Sequence, residues 1–234
     1  MGLIENEDSL MREQYQKQLQ QLKEEIALMG QMCEEALMGA LKALHDQDPG
    51  LAKQVAQSDY LVDQKEREIE HLCLNLIMQQ QPLASDLRFV SSALKLITDL
   101  ERVGDQACDI AEIVHHLDFS EAKYFSLVER MAVVARGMVE DSIEAFVKQN
   151  SELATEVIKR DDEVDNYLGE EIEQLVSLIV ENSHDAHTII DLIMIAKYLE
   201  RIGDHAVNIA QWAIFQQTGI HVSNHPEAGD SMAS

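Results

Sequence analysis

Four pairs of acidic residues stand four positions apart in this chain: Asp59 with Asp63, Glu101 with Asp105, Asp161 with Asp165, and Glu200 with Asp204. On a helix that spacing puts both carboxylates on one face, one turn apart, where like charges cost roughly 0.2–0.5 kcal/mol per pair. Each Glu–Asp pair also encloses a glycine, Gly104 or Gly203, in the interior of a helical pattern, at roughly 1 kcal/mol relative to alanine. Carboxylates converging from two or more helices can hold cations, and a donor set made only of oxygen favours hard ions such as Mg, Mn, Ca or ferric iron. Zinc usually takes nitrogen or sulfur, but Asp and Glu hold it too. Eight carboxylates exceed the needs of one small ion, so the pattern predicts two sites or carboxylate-bridged multinuclear clusters. Spacing leaves open whether one cluster draws on one copy or both. It also leaves open the plainer alternative, that the glycines let a neighbouring helix pack closely and the acids face solvent.

Asp109 continues the Glu101–Asp105 face by a further turn and joins the candidate ligands; its counterpart Asn208 keeps a side-chain oxygen. Glu66, Glu70 and Glu112 read as solvated helix surface. Two Glu-x-x-His patterns, Glu112 to His115 and Glu181 to His184, have the spacing of di-iron carboxylate bundles, but they fall at helix ends and do not map onto each other. His205, beside Asp204, is replaced by Gln106 in the first copy and reads as a supporting or surface residue. There is no GxSxG, no Cys with a His partner and no glycine-rich phosphate loop. The carboxylates therefore point to metal binding, with a di-iron or di-manganese carboxylate enzyme as one reading of that metal.

These residues sit in a tandem repeat. LERVGDQACDIA (100–111) and LERIGDHAVNIA (199–210) agree at eight of twelve positions, and LAKQVAQSDYLVD (51–63) echoes LATEVIKRDDEVD (153–165). The offset is 102 residues in the earlier segment and 99 in the later one, so a unit of about 100 residues is duplicated with a small shortening. Apolar residues recurring every three or four positions from Leu19 to Leu44 predict a first helix over about 15–45. Asp48 as N-cap with Pro49 at the first helical position starts a second, continuing through Ile77, which Gln81 and Pro82 end. A third runs over 84–116. The plan then repeats: a helix through Met131, Met138 and Phe146, a cap near Asn150 or Ser151, a helix over 153–180 and a last one over 185–216. Six long helices in two three-helix bundles result, an all-α fold. Residues 1–14 are expected as a flexible N-terminus, 15–118 and 119–218 as the repeats, and 219–234 as a disordered tail.

Composition agrees. Three prolines and ten glycines in 234 residues leave room for long helices, and few aromatics suit helix-on-helix packing. A net charge of -25 repels polyanions and excludes nucleic-acid binding as the expected role. Cys33, Cys73 and Cys108, odd in number and set among apolar residues, predict free buried thiols in a reducing cytoplasm. No segment reaches the ~20 apolar residues of a membrane span.

QQPLASDLRFV (80–90), LERVGD (100–105), RDDEVD (160–165) and AKYLERIGDHAVNIA (196–210) resemble the PhoU family, with ALMG (27–30) fitting less specifically. The resemblance spans roughly residues 15–220 and implies paired three-helix bundles related by pseudo-twofold symmetry. It implies a cytoplasmic negative regulator of phosphate uptake and of the phosphate-starvation response, working with the phosphate ABC transporter and, through it, a membrane sensor histidine kinase. It also implies a homodimer and Mg, Mn, Fe or Zn ions, often in multinuclear clusters, on Asp59, Asp63, Glu101, Asp105, Asp161, Asp165, Glu200 and Asp204. Asn208 in place of an acid departs from the pattern, and QPLASDLR (81–88) reads equally as a helix start or a partner surface including Arg88.

Overall fold

The computed structural model describes residues 2–80, 84–119, 125–181 and 185–222, and these form seven α-helices. The first helix, α1 (Gly2–Asp46), begins well before the expected start near Tyr15. Its stripe of Leu19, Leu22, Ile26, Met29, Cys33, Leu37 and Leu44 is buried. Then follow α2 (Pro49–Ala56), α3 (Asp59–Gln80) and α4 (Ala84–His116). The second set is α5 (Ser126–Lys148), α6 (Ser151–Glu181) and α7 (Ala186–Thr218). The expected break at Gln81–Pro82 and most of the expected tail, 223–234, lie outside the described residues.

Both copies turn the same corner. Gln47 and Gln149 each take the left-handed conformation at φ 56. The next amide returns to a helix carbonyl, Asp48 N to Ala43 O at 2.9 Å and Asn150 N to Ala145 O at 2.8 Å. This closes one helix. The Asp48 carboxylate then accepts from Gly50 N and Leu51 N, and Asn150 Oδ1 from Glu152 N and Leu153 N, opening the next.

The expected second helix is not continuous: it breaks at Gln57–Ser58 into α2 and α3. Ser58 turns both its amide (2.9 Å) and its hydroxyl (2.7 Å) onto Val55 O, a local bond that competes with the helical ladder. The second copy has Lys159–Arg160 at these positions, 102 residues on, and α6 runs through. There Arg160, a stronger helix former, reaches back to Asp141 on α5.

Helices α1 to α4 pack on one another, as do α5 to α7, and the two bundles join through α4 on α7 and α1 on α5. Bonds from Tyr198 to Asp109 and from Asn208 to Asp99 run in opposite sequence order, so α4 and α7 cross antiparallel. The apolar side chains of both bundles form one continuous core. The three cysteines are buried and free. Among the described residues no helix is long and apolar enough to cross a membrane.

Candidate metal centre

The two glycines that looked costly in sequence explain how the acids meet. A Cβ placed on Gly104 would lie 3.0 Å from Val62 Cγ1, and one on Gly203 would lie 3.6 Å from Val164 Cγ1. Val62 stands between Asp59 and Asp63 on α3, and Gly104 between Glu101 and Asp105 on α4. Seating the valine on the glycine therefore lays one acidic pair against the other. Val164 and Gly203 repeat the arrangement between α6 and α7.

In the first copy, Asp59, Asp63 and Asp105 each offer a carboxylate oxygen, and the three oxygens lie within 4.8 Å of one another. Two oxygens across a hard divalent ion are about 4–5 Å apart, so this spacing fits such an ion. Asp59 Oδ1 is buried without a hydrogen-bond partner among the described residues, an acceptor of the kind that a cation satisfies. Burial and then Asp59 hold the Asp105 carboxyl above its ordinary range, with Arg102 opposing. Burial and then Asp105 do the same to Glu101, which borders the set but is not one of the three. Arg102 lies 3.3 Å from Glu101 and 3.4 Å from Asp105, and Arg67 3.7 Å from Asp63. Burial pushes the adjacent Cys108 thiol up to about 12, Asp59 and Asp105 adding to it.

In the second copy, burial and then Asp204 push Asp161 up to about 6, with Asp165 and Glu200 contributing. Burial and then Glu200 raise Asp204. The four acids are electrostatic neighbours, yet among the described residues only Asp59, Asp63 and Asp105 form a three-oxygen set as tight as 4.8 Å. Lys197 sits 3.0 Å from Glu200. The two copies thus build separate clusters, each between helices of its own bundle.

Asp109 stands apart from the tight set: it accepts from the Tyr198 hydroxyl of α7, which tempers the rise that burial gives its carboxyl. Asn208, its counterpart, donates to Asp99 at 3.1 Å, and His205 Nδ1 donates to the same oxygen at 2.9 Å. Asp109–Tyr198 and Asn208–Asp99 are one contact seen twice, across the α4–α7 crossing. Sequence reasoning passed over Asp99 and Tyr198, although each immediately precedes an LER motif. Their partners are distant in sequence, and only their shared position hints at a shared task. His115 Nδ1 donates to Pro49 O at 2.9 Å, tying α4 to α2, away from the carboxylates. His184 lies outside the described residues.

The family model for the PhoU domain matches residues 26–114 and 128–213. A phosphate-specific transport system accessory protein PhoU homolog from Clostridium acetobutylicum is 34% identical over 217 residues, covering 91% of this chain and 98% of its own length. The accessory protein PhoU of Escherichia coli is 30% identical over 209 residues, covering 88% and 86%. The crystal structure of PhoU from Pseudomonas aeruginosa matches with a TM-score of 0.82 at 31% identity, over 88% of this chain and all of that one. That of the phosphate transport system regulatory protein PhoU from Streptococcus pneumoniae matches at 0.82 and 26% identity, over 89% and 99%. With the repeated carboxylate frame in two bundles and this agreement along nearly the whole chain, the protein belongs to the PhoU family.

Proposed function

We propose that this chain is a metal-binding negative regulator of phosphate uptake and of the phosphate-starvation response, acting by protein contact rather than by turnover. Its partners would be the ATPase subunits of the phosphate ABC transporter and, through them, a sensor histidine kinase at the cytoplasmic face of the membrane. It would act as a homodimer. The observation that carries the metal part is the set of Asp59, Asp63 and Asp105 oxygens around a buried, unpartnered Asp59 Oδ1. The relatives' description as accessory proteins of phosphate-specific transport supports the regulatory part. The net charge of -25 favours basic partner surfaces. Among the described residues no histidine belongs to the tight carboxylate set, and His184 of the di-iron alternative lies outside them.

One experiment covers both parts. The purified chain, Asp105→Ala and Asp204→Ala are each loaded with Mn or stripped with EDTA, analysed for metal, and mixed with the transporter ATPase subunits. Wild type should retain metal and bind the subunits, and Asp105→Ala should lose most of its metal. Equal metal in all three proteins, or no association in any state, would overturn the reading.

A further inference from the structure

In a chain with 43 acidic and 18 basic residues, one recess gathers two cations that no carboxylate meets at ion-pair distance among the described residues. Where α4 begins and α7 ends against the first half of α1, a recess of about 430 Å³ is lined by Lys23, Arg88, Ser85 and the side chains of Gln16, Gln149 and Gln217, among others. Neither Lys23 nor Arg88 makes an ion pair among the described residues, although lysines and arginines elsewhere in the chain find carboxylates. The Lys23 ammonium is held over the Phe89 ring, 5.5 Å from its centroid. Among the described residues Arg88 spends only its Nε, on Gln216 O at 3.5 Å, and its terminal nitrogens bond to none of them. The one carboxylate in the lining, Asp86, lies beside the Tyr15 hydroxyl, which burial and Asp86 push up to about 12.

An ammonium, a guanidinium fork and several primary amides facing one cavity form the donor set that binds a tetrahedral oxyanion, with the fork supplying two parallel charge-assisted bonds. We infer that this recess binds the phosphoryl group of a small anion, either free phosphate or a phosphomonoester, on Lys23 and Arg88. The recess has the size of a small-molecule site, larger than phosphate itself needs. Seventeen residues of α4 separate Arg88 from Asp105, about 25 Å at helical rise. The site is therefore separate from the carboxylate cluster and stands whether or not the metal reading does.

The test is calorimetric titration of the full chain with inorganic phosphate and with phosphoserine at fixed ionic strength. It includes Arg88→Gln and Lys23→Gln, and Lys53→Gln on exposed α2 as a charge-matched control. Wild type and Lys53→Gln should bind alike, and each recess variant should weaken binding about tenfold or more, as when one charge-assisted partner is removed. Tighter binding of inorganic phosphate names the free ion as the source; tighter binding of phosphoserine names the monoester. Circular dichroism checks the fold of Arg88→Gln, whose Nε also holds the end of α7, and Lys23→Gln gives the answer should that variant unfold. No binding of either ligand to wild type up to about 10 mM, or an equal loss in Lys53→Gln, overturns the inference. Capture of an acidic protein through Arg88 without small-anion binding overturns it as well. Asp105→Ala should bind the anion like wild type, which separates this result from that of the metal experiment.

Discussion

Glu171 lies in the interior of the second bundle, fully buried, with neither carboxylate oxygen hydrogen-bonded among the described residues. The helices α3 and α6 run unbroken from Asp59 and from Ser151. Carrying the match of Asp59 with Asp161 along them therefore sets Ile69, itself fully buried, opposite Glu171. The first copy shows what the position holds when packing alone decides. Burial pushes the Glu171 carboxyl up to about 7 from 4.5, with Arg130 opposing and Glu170 adding. A folded-state value above the unfolded one means that the native protein binds the extra proton, so stability falls as pH rises from about 4.5 to about 7 and is level above. The full difference corresponds to about 3 kcal/mol. Glu171→Ile should therefore stabilise the protein by about 3 kcal/mol at pH 8, or about 6–12 °C in melting temperature for a chain of this size, and by about 1 kcal/mol or less at pH 4.5. Glu171→Gln, which keeps a polar group and removes the ionisation, should match wild type at pH 4.5 and exceed it at pH 8. Urea unfolding followed by circular dichroism at the two pH values measures both. A gain from Glu171→Ile that is the same at the two values, or a loss at pH 8, would refute the reasoning.

The glycines give a paired comparison. At Gly203 a new Cβ meets nothing closer than 3.6 Å, so Gly203→Ala should gain about 0.5–1 kcal/mol of helix propensity. At Gly104 it would press on the β-branched, buried Val62 at 3.0 Å, so Gly104→Ala should be about 1–2 kcal/mol less stable than Gly203→Ala in urea, with weaker metal binding; equal stabilities would contradict the packing account. Asp105→Asn removes a carboxylate whose folded value is raised by burial and by Asp59. Its metal-free form should melt above wild type at pH 8 but not at pH 4, and added Mn should reverse the order at pH 8 by stabilising wild type alone; a variant that Mn still stabilises equally would count against the site.

The helical frame was legible because its signals are local. Asp48 and Asn150 cap helices from their own sequence neighbourhood, and the i,i+4 acidic pairs fix which residues share a face. What escaped the sequence depended on partners far along the chain or on register. The break at Gln57–Ser58 carries neither proline nor glycine, and it arises from a serine bond to Val55 O that an ordinary helical serine need not make. Asp109 looked like a further ligand because it continues a carboxylate face; its partner, Tyr198, comes from the other bundle. Glu171 was hidden by a one-residue slip. EIEQL (171–175) echoes EIEHL (68–72) and would pair Glu171 with the exposed Glu68, whereas the helical register pairs it with Ile69.

The same comparison explains why two copies with matching acids do not form equally tight carboxylate clusters. A carboxylate cluster tightens only as far as its two helices can approach, and the valine seated on each glycine measures that approach. It stands 3.0 Å from the would-be Cβ at Gly104 and 3.6 Å at Gly203. The first copy also ends α2 just before Asp59, so that carboxylate begins a new helix, α3, whose direction α2 does not dictate. Its counterpart Asp161 lies within the continuous α6, anchored upstream by Arg160 on Asp141. Glycine in a helix and like charges a turn apart looked like two separate costs in the sequence. In the folded chain they are one device, in which the missing side chain admits the valine and the valine brings the acids together. Where the seat is tighter, between Val62 and Gly104, three oxygens come within the reach of one ion.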